Sequence, residues 1–176
     1  MLRCDNPFWT FSLAVYAEPG VAAECLALQD ACNIDVNALL FCAWLGADKR
    51  LILTEQNLAA IDTQVRRWHE TVVRPLRAVR QAMKPMAEMA DDAVTTLRKD
   101  IAASELRAEQ IEQAILFAAA AKISDGANAA KAEQAVAANV TAFVRRNATD
   151  AATIEPPRLL IAAAMAYRAP TAVKTH

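Results

Sequence analysis

Glycine is scarce in this sequence and alanine is abundant, and this balance limits the folds that the chain can adopt. Only 3 of the 176 residues are glycine, whereas 41 are alanine. Tight turns between strands rely on glycine to reach positive φ angles, while alanine has the highest intrinsic helix propensity. Hydrophobic residues make up 55% of the chain, enough apolar surface to offset the entropy lost on folding. We therefore expect a folded all-α protein, and the length fits a single domain over residues 1–176.

Apolar periodicity predicts a bundle of about five to seven helices with one of them at the centre. The segment from Val36 to Leu45 is apolar on every side except at Asn37, which is the pattern of a helix surrounded by other helices. Asp35 is placed to cap its first turn, and Gly46 is placed to end it in the left-handed conformation. This segment is the predicted central helix.

Two longer helices are expected to pack against each other in antiparallel fashion. One runs from Glu55 to Lys84 and should bend at Pro75, because proline removes a backbone donor and clashes with the preceding turn. The other has apolar residues at spacings of three and four from Val94 to Ala118, typical of a long helix with a narrow seam. Small seam residues also allow self-association. The alanine-rich residues 125–176 are expected to be helical but to add little to the core.

The net charge of −1 and the pI near 6.1 remove any global electrostatic argument for binding to nucleic acid or membranes. The charges are nevertheless segregated. At about 100° per residue, six cations of the Glu55 to Lys84 helix fall within an arc of about 140° opposite its apolar stripe. They are Arg66, Arg67, Arg74, Arg77, Arg80 and Lys84. This basic stripe is either a solvated face, partly neutralised by acidic residues between Glu88 and Glu112, or a docking surface for an anion.

From the basic stripe we expect a non-enzymatic binding or adaptor protein. Its partner would be an acidic protein surface or a phosphate-bearing ligand, with nucleic acid a weaker candidate. If the stripe only docks a partner, the double variant Arg74→Glu, Arg77→Glu should lose that partner and keep the wild-type melting temperature.

A polar cluster between two apolar helices suggests an alternative function. It consists of Gln29, Asp30, Asn33, Asp35 and Asn37. Aspartate and asparagine are common helix caps, so capping explains most of the cluster. In the alternative, a small enzyme has a pocket between this cluster and the basic helix. Asp30 or Asp35 would act as the general base there, and an arginine would hold an anionic substrate.

The remaining residue types exclude several kinds of site. His69 is the only histidine before the terminal His176, so we expect no histidine-based metal site and no other cofactor. A pair of His69 with a cysteine nucleophile is a minor alternative.

The four cysteines form no C-x-x-C pair, and three lie in apolar helical patterns, as expected of reduced thiols in the cytoplasm. No apolar run reaches the length of about 20 residues that spans a membrane.

Two motifs in the first half of the chain are distinctive. They read FWxFSLxxYxxPGV from Phe8 to Val21 and LQDxxxxDVNxLLFxxWLG from Leu28 to Gly46. With these motifs, and with Trp68 and the run from Val72 to Arg80, the chain resembles a family of short bacterial proteins of unknown function. The resemblance weakens after about residue 105. It implies a small stand-alone bacterial protein and assigns no catalytic residue.

Overall fold

The computed structural model describes residues 1–87, 92–148 and 155–169, and these ranges are built almost entirely from helices. The helices are α1 (Pro7–Tyr16), α2 (Val21–Cys32), α3 (Val36–Ala47), α4 (Glu55–Trp68), α5 (Arg74–Ala82), α6 (Lys84–Ala87), α7 (Asp92–Ile123), α8 (Ala132–Asn147) and α9 (Arg158–Ala166). A π-helical turn, His69–Val73, joins α4 to α5. Strands β1 (Leu51–Ile52) and β2 (Asn128–Ala129) form one short antiparallel ladder. The predicted all-α class is confirmed.

Helix caps, including the one predicted at Asp35, explain where the first helices begin and end. The Asn6 side chain accepts a hydrogen bond from the backbone N–H of Trp9, with Pro7 as the first residue of α1. Helix α2 ends at Asn33, whose φ of 53° is the left-handed conformation that stops a helix. Asp35 then caps α3, and Thr54 caps α4 through a reciprocal capping box with Asn57. These local signals place the polar junction between α2 and α3.

Helix α3 lies at the centre of the core, as its composition predicts. Every residue from Asn37 to Gly46 is buried, and α1, α7, α8 and α9 pack around the helix. Phe8 of α1 and Phe41 and Trp44 of α3 form an aromatic cluster, with ring centroids 5.1 to 5.7 Å apart. Aromatic pairs at these distances stabilise the fold by more than the burial of their apolar surface alone would.

Gly46 has a different role from the predicted one. It lies inside α3, which continues to Ala47, and its φ is not positive. A Cβ at Gly46 would come within 2.6 Å of the backbone nitrogen of Val136 and 2.8 Å of the Cα of the same residue in α8. The glycine is therefore needed for close packing of α3 against α8, and the prediction of a left-handed helix stop at this position is wrong.

Helices α4 and α5 run antiparallel to α7, as predicted. Asn57 near the start of α4 donates to the carbonyl of Ile123 at the end of α7, at 2.6 Å. Farther along, the indole N–H of Trp68 donates to the carbonyl of Ala108 at 3.0 Å. A π turn lies just before Pro75, where the sequence predicts a bend, and this wider helical turn accommodates the missing N–H.

Helix α8 fills one side of the core, although its sequence predicts a modest contribution. Val136, Val140 and Phe143 are almost completely buried against the rest of the core. The buried side chain of Asn139 accepts from the N–H of Leu53 and donates to the carbonyls of Cys42 and Leu51. One asparagine thus connects α8 to α3 and to β1.

Among the described residues, no single helix combines the length and apolar character needed to cross a membrane, although α1 and α2 pass that test as a pair bent by 98°.

Candidate functional site

Two recesses open onto the polar layer beside α3. The larger, which we call the cavity, has a volume of about 560 Å³ and lies between α1, α2, α3, α5 and α7. The smaller, which we call the cleft, has a volume of about 160 Å³ and lies beside the π turn. A buried chain of hydrogen bonds joins the two recesses. Gln113 and Asn37 line the cavity, and Asn37 donates to Glu112, which contacts His69 of the cleft.

The cavity combines an apolar wall with a charged wall. The apolar side chains come mainly from α1, α2 and α7, and the charged ones come from α2, α5, α6 and α7. The apolar set includes Trp9, Leu13, Leu26, Leu40 and Leu106, and the charged set is Asp30, Arg77, Arg80, Lys84, Arg98, Glu105 and Glu109. Four cations face three carboxylates, so the charged wall carries one positive charge in excess.

Two of the cavity arginines are held by ion pairs with α7. Arg77 donates from Nε to Glu105 at 3.0 Å and from Nη2 to Glu109, and Arg80 donates to both oxygens of Glu105. Burial alone would raise the pKa of Glu105, but hydrogen bonds from Arg80 and Arg77 outweigh it and hold that pKa below its ordinary value. Burial raises the pKa of Glu109.

Three residues that line the cavity each hold a buried polar atom with no hydrogen-bond partner among the described residues. These atoms are Oγ of Ser12, Nε of Arg98 and Oε1 of Gln113. An unsatisfied buried polar group costs about 1–3 kcal/mol, and buried polar atoms are satisfied in most proteins. The residues around the cavity therefore carry hydrogen-bonding capacity that the described part of the chain leaves unused.

Beside the cleft lies a compact cluster of three ionisable side chains, which we call the Asp–His–Glu cluster: Asp35, His69 and Glu112. Asp35 and His69 line the cleft, and Glu112 contacts His69 from α7. Nδ1 of His69 lies 3.2 Å from Oδ2 of Asp35 and 3.1 Å from Oε1 of Glu112. The side chain of Glu112 is fully buried, and the side chains of Asp35 and His69 are only 15% and 14% exposed. Asp35 is the N-cap of α3, His69 belongs to the π turn and Glu112 belongs to α7.

The electrostatics of this cluster follow from burial next to like and unlike charges. Burial, together with the nearby Glu112, raises the pKa of Asp35 to about 6, although His69 and two backbone N–H groups act in the opposite direction. Burial alone would lower the pKa of His69. The hydrogen bond to Glu112 and the negative charges of Asp35 and Glu112 outweigh burial and raise the pKa of the imidazole.

The π turn brings His69 and Arg77 to one side of the helix. In a regular α-helix, two residues eight positions apart lie about 80° apart around the axis. A π turn contains one extra residue, which reduces this separation to about 20°. Both side chains consequently reach α7, His69 at Glu112 and Arg77 at Glu105.

The same π turn divides the basic stripe, which regular helical geometry placed in one arc. Arg66 and Arg74 line the cleft, whereas Arg77, Arg80 and Lys84 line the cavity. Arg67 is exposed and lines neither recess in the part of the chain that the structure describes. The six cations of the basic stripe therefore do not share one face. Acidic residues of α7 pair with Arg77 and Arg80, in agreement with the interpretation that acidic residues between Glu88 and Glu112 partly neutralise the stripe.

The two candidate general bases also lie in different recesses. Asp30 is exposed at the edge of the cavity, together with Arg77 and Arg80. Asp35 lies in the cleft with Arg66 and Arg74, and its Oδ1 caps α3 through the N–H groups of Asn37 and Ala38.

Sequence reasoning missed His69 and Glu112 as partners of Asp35. The available signal was a glutamate and a glutamine placed side by side on the seam of α7, one turn after Ala108. No known metal-binding motif links Glu112 to a single histidine that lies 43 positions earlier in the sequence.

Comparison with known proteins places the chain in a family. Residues 7–116 match the family described as "Protein of unknown function (DUF2390)". Neither the curated proteins nor the solved structures contain a match to the chain. The matched range runs from α1 through most of α7 and includes all three residues of the Asp–His–Glu cluster. Because the match covers well over half of the sequence, the chain belongs to the DUF2390 family.

Proposed function

We propose that this protein is a non-enzymatic binding protein that holds a small ligand, with an anionic group and an apolar body, in the cavity. The observation that carries the proposal is the set of unpartnered buried polar atoms beside an apolar wall, at Ser12, Arg98 and Gln113. A ligand that satisfied them would recover the free energy that these groups lose when they are buried alone. The volume of about 560 Å³ is within the range of small-molecule sites.

The charge of the ligand follows from the two cavity cations that lack ion pairs. Glu105 and Glu109 hold Arg77 and Arg80, but within the described residues Lys84 and Arg98 have no ion pair. A carboxylate, phosphate or sulfonate group is the natural counter-ion for these two side chains. Trp9, Leu13 and Leu106 provide apolar contact for the rest of the ligand.

The cavity favours a small ligand over an acidic protein surface. A protein docking site needs cations that project from the surface, whereas the side chain of Arg77 is only 15% exposed and is already paired. The exposed cations Arg66, Arg67 and Arg74 are separated from the cavity by the π turn. Exposed charges of this kind contribute little when they are solvated.

Two fluorescent dyes with the same type of aromatic body test the proposal. Anilinonaphthalene sulfonate carries one negative charge, and N-phenylnaphthylamine carries none. We expect the double variant Lys84→Gln, Arg98→Gln to weaken binding of the sulfonate dye by at least about tenfold, since each charge-assisted hydrogen bond is worth about 1.5–3 kcal/mol. Binding of the neutral dye should be unchanged.

The matched control is Arg67→Gln, Lys99→Gln, which removes the same charge from exposed positions. It should bind both dyes like wild type. Near-UV circular dichroism checks that all three proteins keep their tertiary packing, because the sulfonate dye also binds loosely packed states. Equal loss of sulfonate binding in both double variants, or no loss in either, would refute the cavity as the anion site.

A second candidate function, a small enzyme, is favoured by the presence of Asp35, Arg66 and Arg74 in one cleft. A carboxylate and two arginines are a suitable set for a general base and an anion clamp. The two candidates differ in what happens to the ligand. Under the binding proposal, a ligand that copurifies with the protein is recovered chemically unchanged after prolonged incubation, as measured by mass spectrometry.

A further inference from the structure

We propose that Asp35, His69 and Glu112 form a binding site for a divalent first-row transition metal ion of the Zn²⁺ type. The site is separate from the cavity ligand of the proposed function. It does not depend on that ligand, because the three donor atoms meet beside the cleft and none of the three residues lines the cavity.

The donor atoms already have the spacing of a metal site. In tetrahedral coordination with metal–ligand bonds of about 2.0–2.2 Å, neighbouring ligand atoms lie about 3.3–3.6 Å apart. Nδ1 of His69 lies 3.2 Å from Oδ2 of Asp35 and 3.1 Å from Oε1 of Glu112, and no two of the three donor atoms are more than 4.8 Å apart. A metal ion could therefore bind with small adjustments of the side chains.

In each carboxylate, one oxygen accepts hydrogen bonds from groups other than His69. The other oxygen, Oδ2 of Asp35 or Oε1 of Glu112, lies close to His69. Oδ1 of Asp35 accepts from the N–H groups of Asn37 and Ala38, at 2.8 and 3.2 Å. Oε2 of Glu112 accepts from the amide of Asn37 at 2.7 Å, and Gln113 holds that amide in turn. Supporting hydrogen bonds that orient the metal-binding oxygens are typical of metal sites.

One donor atom lacks a partner that a metal ion would supply. Oδ2 of Asp35 is buried and has no hydrogen bond among the described residues, although Nδ1 of His69 is 3.2 Å away. The same Nδ1 lies 3.1 Å from Oε1 of Glu112, so one imidazole nitrogen is shared between two buried carboxylates. A dication bound by all three groups would balance both carboxylates and give Oδ2 a ligand bond.

The donor types and the cleft define which ion fits. Imidazole nitrogen and carboxylate oxygen suit Zn²⁺ and its first-row neighbours, whereas Mg²⁺ and Ca²⁺ prefer oxygen donors alone. Three protein ligands leave a fourth position for water, which is the arrangement of catalytic zinc sites. The cleft provides the route, since Asp35 and His69 line it, and the carboxylates of Asp62 and Glu70 offset the positive charges of Arg66 and Arg74 there.

The test is metal binding by the full chain after removal of metal with a chelator. Co²⁺ is added first, because its visible d–d absorption reports a site of low coordination number, and Zn²⁺ is then added to displace it. We expect one equivalent of Co²⁺ to bind and one equivalent of Zn²⁺ to displace it. His69→Gln, Asp35→Asn and Glu112→Gln should each weaken Zn²⁺ binding by at least about 100-fold.

Two controls match the ligands in residue type. Asp62→Asn removes a carboxylate from the same cleft, and His176→Gln removes the other histidine of the chain. Both should bind Zn²⁺ within about threefold of wild type. Cys4→Ser, Cys32→Ser should also bind normally and show the same Co²⁺ spectrum, which excludes thiolate ligation by the two partly buried cysteines.

Asp35→Asn decides the outcome if another variant fails to fold. An asparagine oxygen can still cap α3, so the protein keeps its helix while losing one metal ligand. Far-UV circular dichroism establishes the fold of each variant. Wild-type protein that binds less than about a fifth of an equivalent, or folded ligand variants that bind as well as wild type, would overturn the proposed site.

Discussion

Buried asparagines connect parts of this protein that are far apart in sequence. Asn57 binds the carbonyls of Ile123 and Asp125, Asn139 binds β1 and the carbonyl of Cys42, and Asn37 binds Glu112. An amide side chain offers both donors and acceptors, so a single residue can satisfy several backbone groups that would otherwise be buried alone. These contacts are specific because unsatisfied groups are costly in a dry core.

Glu105 makes the stability of the protein sensitive to acid. Its pKa is lower in the folded state than in the unfolded chain because Arg80 and Arg77 hydrogen-bond to the carboxylate more strongly than burial opposes it. A depressed folded pKa contributes stability that is present above the unfolded pKa and is lost as pH falls through the folded one. Urea unfolding should show wild type losing stability below about pH 4.5 more steeply than Glu105→Gln.

The control for this pH dependence is Glu133→Gln, at an exposed position of α8. It should follow the wild-type curve throughout. Parallel curves for wild type and Glu105→Gln would show that the ion pairs with Arg77 and Arg80 do not link folding to protonation.

Charge reversal should destabilise the protein at Arg77 and have almost no effect on stability at Arg74. Arg77→Glu would place a third carboxylate beside Glu105 and Glu109, so we expect it to lower the free energy of unfolding by about 3 kcal/mol. Arg74 is exposed, and Arg74→Glu should change it by less than about 0.5 kcal/mol. Thermal and urea unfolding of the two single variants provide the measurement. Equal melting temperatures would restore the sequence-based expectation that the double variant is only a surface change.

At the scale of the helical elements, caps and breaks were predictable and close contacts were not. Asn6, Asp35 and Thr54 cap helices where the sequence indicates, because capping depends on residues three or four positions apart. Gly46 was misassigned because a glycine at a helix end and a glycine at a helix crossing have the same local sequence. Only the position of α8 distinguishes them.

Gly46→Ala tests the close approach of α3 and α8. The new Cβ would meet backbone atoms of Ala135 and Val136 at 2.6 to 2.8 Å, and backbone cannot move aside as a flexible side chain can. We expect a loss of about 2–3 kcal/mol in urea unfolding, in the range of overpacked cores.

Gly126→Ala is the comparison for Gly46→Ala. This glycine has a φ of 72° but nothing within 4 Å of an added Cβ, so only backbone strain of about 1 kcal/mol is expected. A Gly46→Ala protein as stable as wild type would mean that the two helices separate at little cost.

At the scale of the whole molecule, composition predicted the fold class and the central helix, but not the groups that meet around it. Helix propensity and apolar patterning can be read from neighbouring residues alone. The predicted all-α class and the predicted central helix from Val36 to Leu45 are both confirmed. The Asp–His–Glu cluster depends on three elements that come together only in the folded chain. The unpartnered atoms of the cavity likewise depend on packing that no local pattern encodes.

The matched family range does not contain all of the core. It ends at residue 116, whereas Val136, Val140 and Phe143 of α8 cover one side of α3. A chain that ends after Gly126 would leave that side of α3 in water, along with the carbonyls that Asn139 binds. We expect this shortened chain to show no cooperative thermal transition by circular dichroism, in contrast to the full chain. A cooperative transition in the shortened chain would show that α3 can be covered without α8.

The order in which the elements leave the ribosome gives the contact between α3 and α8 a consequence for synthesis. About 85 residues separate the end of α3 from the start of α8. At roughly 5–20 residues per second, the most apolar helix of the protein emerges about 4–17 s before the helix that covers it. During that interval, the nascent chain exposes an apolar, aggregation-prone segment. We therefore expect α3 to need chaperone binding until translation is nearly complete.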